Sequence, residues 1–138
     1  MRIDTHAHVM FKPFCGRPPR PVERLLDDWE QCGLNGGWIS SVDAMLTGEL
    51  DEQKRIHDKL AEVVRVYPRQ IAALCTVNPS AMEDAVAEVE RCVQSLGFIG
   101  VKIHPWLQAV SVVANPGMDL EEPFQQALKL YNGKRTQS

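Results

Sequence analysis

No apolar run in this 138-residue chain approaches the length needed to cross a bilayer, so no membrane association is expected. Neither charge sign prevails. Fifteen Lys and Arg face eighteen Asp and Glu, and the net charge of −3 gives no global pull toward nucleic acid or an acidic membrane surface. The first residues lack the apolar stretch of a signal peptide and carry Asp4, His6 and His8 instead, which points to a cytoplasmic protein. The four cysteines, Cys15, Cys32, Cys75 and Cys92, stand singly with no CxxC pair. That scatter argues against disulfides or a cysteine zinc site and for buried, reduced thiols. What remains, 44% hydrophobic and 24% charged residues, is the composition of one globular domain with a real core.

One rhythm repeats four times along the chain: a short apolar stretch, a turn, an amphipathic helix. The first strand spans roughly 2–9, and a Pro-rich loop, "KPFCGRPPRP", leads to a helix with Val22, Leu25, Leu26, Trp29 and Cys32 at helical spacing before Gly33. A second strand is expected at 36–42. Its helix places Ile56, Leu60, Val63, Val64 and Tyr67 on one face and stops before Pro68. The third strand, 71–77, precedes a helix whose Ser80 and Glu83 match a capping box and whose Met82, Val86, Val89, Val93 and Leu96 face inward. The fourth strand, "GVKIH", covers 100–104, and a last helix is expected near 122–132. Strands alternating with helices imply βαβ units and a parallel sheet. Residues 1–133 read as one such domain, with a polar tail at 134–138 where a fifth strand would be expected.

Chemistry gathers at the strand ends. In "IDTHAHV" the period of two sends His6 and His8 to the same side, with the small Ala7 between them. Two imidazoles converging from one strand suit a borderline-soft divalent ion such as zinc. A catalytic ion needs at least a third protein ligand and an open position. In "GVKIHP" the same parity pairs Lys102 with His104, and a lysine and a histidine aimed inward from a buried strand call for partners. Either a site or a solvated edge accounts for Lys102; Pro105 puts His104 at the rim. Arg17 and Arg20 leave the same rim as His8, either as a solvated loop or as a cover that binds a carboxylate.

Together, "IDTHAHV", "TVNP" and "GVKIHPWLQ" resemble the amidohydrolase-related family, whose members include metal-dependent hydrolases and non-oxidative decarboxylases. The resemblance covers roughly the first hundred residues. It implies an α/β fold, four βα units of a TIM-type (β/α)8 barrel, with the site where the strands end. It further implies that His6 and His8 bind the metal, that Lys102 and His104 lie on the substrate side, and that the substrate is a small carboxylate or a lactone- or amide-like molecule. In this family another histidine and an aspartate come from later strands, which the sequence does not reach. His104 is the candidate catalytic residue. A truncated barrel of this kind is expected to be impaired and to pair with a second copy as a homodimer, because its sheet edges and inner face are uncovered. Two other readings compete. TatD-like nucleases share D-x-H-x-H but would show an acidic "GE-x-GLD" segment where "GVKIHP" stands, and a non-catalytic half-barrel module would have no reason to retain metal.

Overall fold

Short β-rich stretches, each followed by a helix with one apolar face, leave the chain one economical way to bury its core: a parallel sheet with helices laid against it. The structure, a computed structural model, describes residues 1–105 and 108. It contains β1 (Ile3–Val9), α1 (Val22–Gln31), β2 (Gly36–Ser41), α2 (Val42–Leu46), α3 (Leu50–Val66), β3 (Ile71–Cys75), a 3-10 turn (Pro79–Ala81), α4 (Met82–Gln94) and β4 (Gly100–Val101). The four strands are parallel and lie in the order β1-β2-β3-β4. No described helix is long and apolar enough to cross a membrane.

The strand period of two sorts the side chains. Ala7, Val9, Ile39, Ile71, Ala73 and Cys75 join the core with Val22, Leu25 and Trp29 of α1, Leu60 of α3 and Val89, Cys92 and Val93 of α4. On the opposite face stand His6, His8, Trp38 and Ser40; Trp38 is 36% exposed there. That face is concave. In a flat sheet β1 and β4, three spacings of about 4.8 Å apart, would be separated by ~14 Å, yet Lys102, just past β4, brings Nζ within 3.2 Å of His6 Nε2. A sheet curled as in a barrel wall favours such a contact.

Two local features set the position of His6. The β1–β2 register slips between Asp4 and Ala7, an irregularity of the β-bulge kind. The Asp4 carboxylate braces it, accepting the His6 amide at 2.9 Å and the Trp29 indole N–H at 3.2 Å. Beside it Gly37 is obligatory, because a Cβ there would run into the Asp4 carbonyl and the Trp29 ring.

Several expectations need correction. Strand four is shorter than expected: it stops at Val101, so His104 lies beyond it. Val42 opens α2 rather than closing β2, a short helix the pattern did not reveal. Ser80 does not cap α4. The Asn78 side chain accepts the Ser80 amide and starts the 3-10 turn, while α4 begins at Met82, which is exposed. Cys15 and Cys32 are exposed free thiols rather than buried ones, whereas Cys75 and Cys92 are buried. The expected helix at 122–132 and the tail at 134–138 lie outside the described residues.

Candidate functional site

The carboxyl end of β1 brings the two predicted imidazoles together edge to face, with His6 Nε2 and His8 Nε2 3.0 Å apart. The other nitrogen of His8, Nδ1, lies 2.9 Å from Ser40 Oγ on β2. A hydroxyl partner at Nδ1 fixes the ring and leaves Nε2 directed at His6. Burial, together with His6, Lys102 and His104 nearby, lowers the pKa of His8, against a hydrogen bond to the Ser40 backbone that raises it. The shift favours the neutral imidazole, the form that binds metal. Lys102 Nζ approaches His6 Nε2 to 3.2 Å, so the parity argument for Lys102 holds in space. His104 lies close enough for its charge to act on His8. Its backbone is held by Gln108, whose side chain accepts the His104 amide at 2.7 Å and donates to the Val77 carbonyl at 2.7 Å.

These residues suit a metal ion. With bonds of about 2.0–2.1 Å, one ion can touch both Nε2 atoms, which stand 3.0 Å apart. The donor set is imidazole nitrogen, and Ser40 supplies the orienting partner that metal-bound histidines ordinarily have.

The Pro/Arg loop is not a loose connection. Met10 and Arg20 exchange two backbone hydrogen bonds of 3.2 and 2.9 Å, and Phe14 and Arg17 exchange two more of 3.0 and 2.9 Å. Cys15 (φ 48°) and Gly16 (φ 73°) both take left-handed backbone between Phe14 and Arg17, the form of a two-residue hairpin turn. Asp43 ties the base of this flap to the sheet by accepting the Phe11 amide at 2.7 Å, the Lys12 amide at 3.2 Å and the Ser41 hydroxyl at 3.2 Å. Between flap and sheet is a cavity of about 470 Å³ lined by His8, Met10, Phe14, Cys15, Arg17, Arg20 and Val42. Asp43→Ala should therefore loosen the flap by about 1–3 kcal/mol. Faster amide exchange at Phe11 and Lys12 would show it; unchanged rates would mean that Asp43 does not anchor the flap.

Periodicity missed a second polar cluster. His57, Glu88 and Cys92 are buried with their ligand-type atoms within 4.8 Å of one another, the one such group among the described residues. Its atoms are already committed. Thr76 N–H donates to His57 Nε2 at 3.1 Å, so the ring proton is on Nδ1 and goes to Glu88 Oε1 at 2.6 Å. Arg91 donates to both Glu88 oxygens at 2.8 Å and to Asp58 at 2.7 Å. The neighbouring Cys75 and burial push the Cys92 thiol up, away from the thiolate a metal needs. A guanidinium bonded to Glu88, the carboxylate of this cluster, makes it a structural knot joining α3, α4 and the end of β3.

Comparison with known proteins agrees with the fold. The chain shares 43% identity over 49 residues with a 2-keto-4-carboxy-3-hexenedioate hydratase from a Sphingobium species, a match covering 33% of this chain and 14% of that one. A crystal structure of amidohydrolase II superposes with a TM-score of 0.71 at 18% identity, covering 91% of this chain and 46% of the other. A manganese-bound 5-carboxyvanillate decarboxylase from Novosphingobium aromaticivorans gives a TM-score of 0.61 at 22% identity, covering 78% and 32%. The chain thus spans less than half the length of these proteins. Solved structures sharing the fold include decarboxylases and hydrolases. The amidohydrolase family model matches residues 3–116, and with the parallel, inward-curved sheet beneath that match, the chain belongs to the amidohydrolase family.

Proposed function

We propose that this chain carries the metal-binding portion of an amidohydrolase-type active site, with His6 and His8 holding one divalent ion, zinc or manganese. The reaction proposed is hydrolysis or non-oxidative decarboxylation of a small carboxylate-bearing substrate. The observation that carries this reading is the pair of Nε2 atoms 3.0 Å apart on the concave face. The manganese of the 5-carboxyvanillate decarboxylase supports the choice of ion. The carboxylated substrates named for that enzyme and for the Sphingobium hydratase support the substrate class.

A bound ion supplies Lewis acidity toward a substrate oxygen or a water. The chain's residues supply the rest. Ser40 holds the His8 ring in its ligating orientation. Lys102, whose Nζ reaches the imidazole pair, provides an ammonium group for a substrate carboxylate. His104 at the same rim hydrogen-bonds the substrate or passes it a proton.

Protein loaded with manganese or zinc should be assayed against aromatic and enoic carboxylates for carbon dioxide release and for hydrolysis. Turnover should depend on the metal. Lys102→Ala should raise KM by roughly tenfold to a hundredfold, as expected for one lost charge-assisted contact, with metal content unchanged. No metal-dependent turnover across the panel would count against the proposal.

A further inference from the structure

The backbone ladder between β3 and the chain that follows β4 is completed by a side chain. The Ala73 carbonyl accepts the Ile99 amide at 2.9 Å, and the Cys75 carbonyl accepts the Lys102 amide at 2.7 Å. Two residues further along each chain, an evenly spaced ladder would join the His104 amide to the Val77 carbonyl. The Gln108 carboxamide stands between those two groups. Its Oε1 accepts the His104 amide and its Nε2 donates to the Val77 carbonyl, each at 2.7 Å. The Gln108 amide also donates to the His104 carbonyl at 3.0 Å, so one residue holds both backbone groups of His104. The other side of the segment 76–78 is held from α3. Pairing of β2 with β3 ends at Ile39 and Ala73, and beyond it the backbone needs other partners. His57 Nε2 accepts the Thr76 amide at 3.1 Å, and Gln53 Oε1 accepts the Asn78 amide at 3.3 Å. Gln53 is fully buried, and its Nε2 donates to the Ala44 and Thr47 carbonyls at 3.1 and 3.2 Å.

We propose that Gln108 and Gln53 are positioning residues for His104. Gln108 spaces His104 from β3 by the width of one carboxamide, and Gln53 fixes the segment from which that spacing is set. The consequence for turnover rests on the function proposed above; the geometric part does not. A group that hydrogen-bonds a substrate or passes it a proton must stand within hydrogen-bond reach, and a misplacement of about 1 Å can cost roughly a hundredfold in rate. Position 108 requires a carboxamide, because joining an amide to a carbonyl takes an acceptor and a donor side by side. A residue that merely closed the turn at His104 would need the acceptor alone, as in a capping box, where Glu serves as well as Gln.

Gln108→Glu separates the two roles, since it keeps the acceptor but sets a carboxylate against the Val77 carbonyl. Backbone NMR order parameters of metal-free protein give the first readout, with Leu25 and Val89 as reporters of the general fold. The His104 value should fall from about 0.85 in the wild type toward about 0.6 in Gln108→Ala and Gln108→Glu alike, with the reporters unchanged. Gln53→Met, at a side chain that bonds to neither His104 nor Gln108, should lower the Asn78 value and, to a smaller extent, that of His104. A His104 as rigid in Gln108→Glu as in the wild type would overturn the assignment, and a His104 unaffected by Gln53→Met would overturn it for Gln53. Gln108 is only half-buried, so its variants keep the test decisive if Gln53→Met does not fold. In manganese-loaded protein Gln108→Glu should lower kcat about tenfold to a hundredfold, with KM and metal content within about twofold. An unchanged kcat would overturn the positioning role. Failure of the metal-site proposal has a different signature: the wild type would bind no manganese or turn nothing over, while the order-parameter pattern of metal-free protein would persist.

Discussion

Replacing His6 and His8 together with alanine should remove the protein's divalent-metal affinity and leave its fold nearly intact. Loss of a group that merely orients a metal-bound histidine already weakens metal binding by about 10–100-fold, so loss of both imidazoles should exceed that range. The effect on folding should be small because neither ring belongs to the apolar core: His6 is exposed and His8 half-buried. The main loss is the single His8–Ser40 hydrogen bond, about 1 kcal/mol. Plasma mass spectrometry of dialysed protein, beside a thermal melt of the same sample, separates the outcomes. Unchanged metal content in the double variant would place the ion elsewhere, and loss of both metal and fold would mean that the histidines are structural.

Glu88→Ala should act in the opposite way, destabilising the protein strongly with no direct effect on the metal site. The Glu88 side chain is fully buried, accepting from His57 at 2.6 Å and from Arg91 at 2.8 Å. Removing one member of a buried ionic cluster leaves the others desolvated and unmatched, which costs about 3–5 kcal/mol. Chemical denaturation should show a large fall in midpoint, and a change below about 1 kcal/mol would show that water replaces the carboxylate. The same group gives a pH dependence. Burial pushes the Glu88 carboxyl up, but bonds from His57 and Arg91 outweigh it and hold the pKa at about 2, against an ordinary 4.5. A depressed folded-state pKa contributes stability above the unfolded value and loses it as pH falls through the folded one. The contribution, roughly 3 kcal/mol, is therefore complete above about pH 5 and disappears between there and about pH 2. In Glu88→Gln that part of the acid sensitivity should be absent.

Where the sequence was legible, a periodic demand lay behind it. Alternation in "IDTHAHV" predicted that His6 and His8 share a face, and the rings meet at 3.0 Å. The same alternation paired Lys102 with the site although β4 is only Gly100–Val101, because the Lys102 amide still bonds to the Cys75 carbonyl and carries strand geometry one residue further. Apolar spacing located α1, and Pro68 marked the end of α3 at Val66. Illegible features depend on contacts distant in sequence. His57 sits between Ile56 and Asp58 in α3, and nothing local shows that Glu88, thirty-one positions later, will face it. The flap reads as a solvated Pro/Arg loop until Asp43, from the following strand–helix unit, is seen to accept the Phe11 and Lys12 amides. A capping box at Ser80 and Glu83 was a reasonable local reading, but Asn78 and Pro79 started a turn earlier and took the Ser80 amide.

Cobalt(II) titration followed by electronic absorption tests the central claim most directly, because it reports which atoms hold the ion. The two candidate clusters differ in one ligand type: the site on β1 has only imidazole nitrogens and the buried cluster has the Cys92 thiol. Binding at His6 and His8 predicts d–d bands without thiolate-to-metal charge transfer, present in the wild-type protein and in Cys92→Ser, and abolished in the His6→Ala, His8→Ala double variant. A thiolate charge-transfer band that disappears in Cys92→Ser, or d–d bands that survive loss of both histidines, would contradict the account.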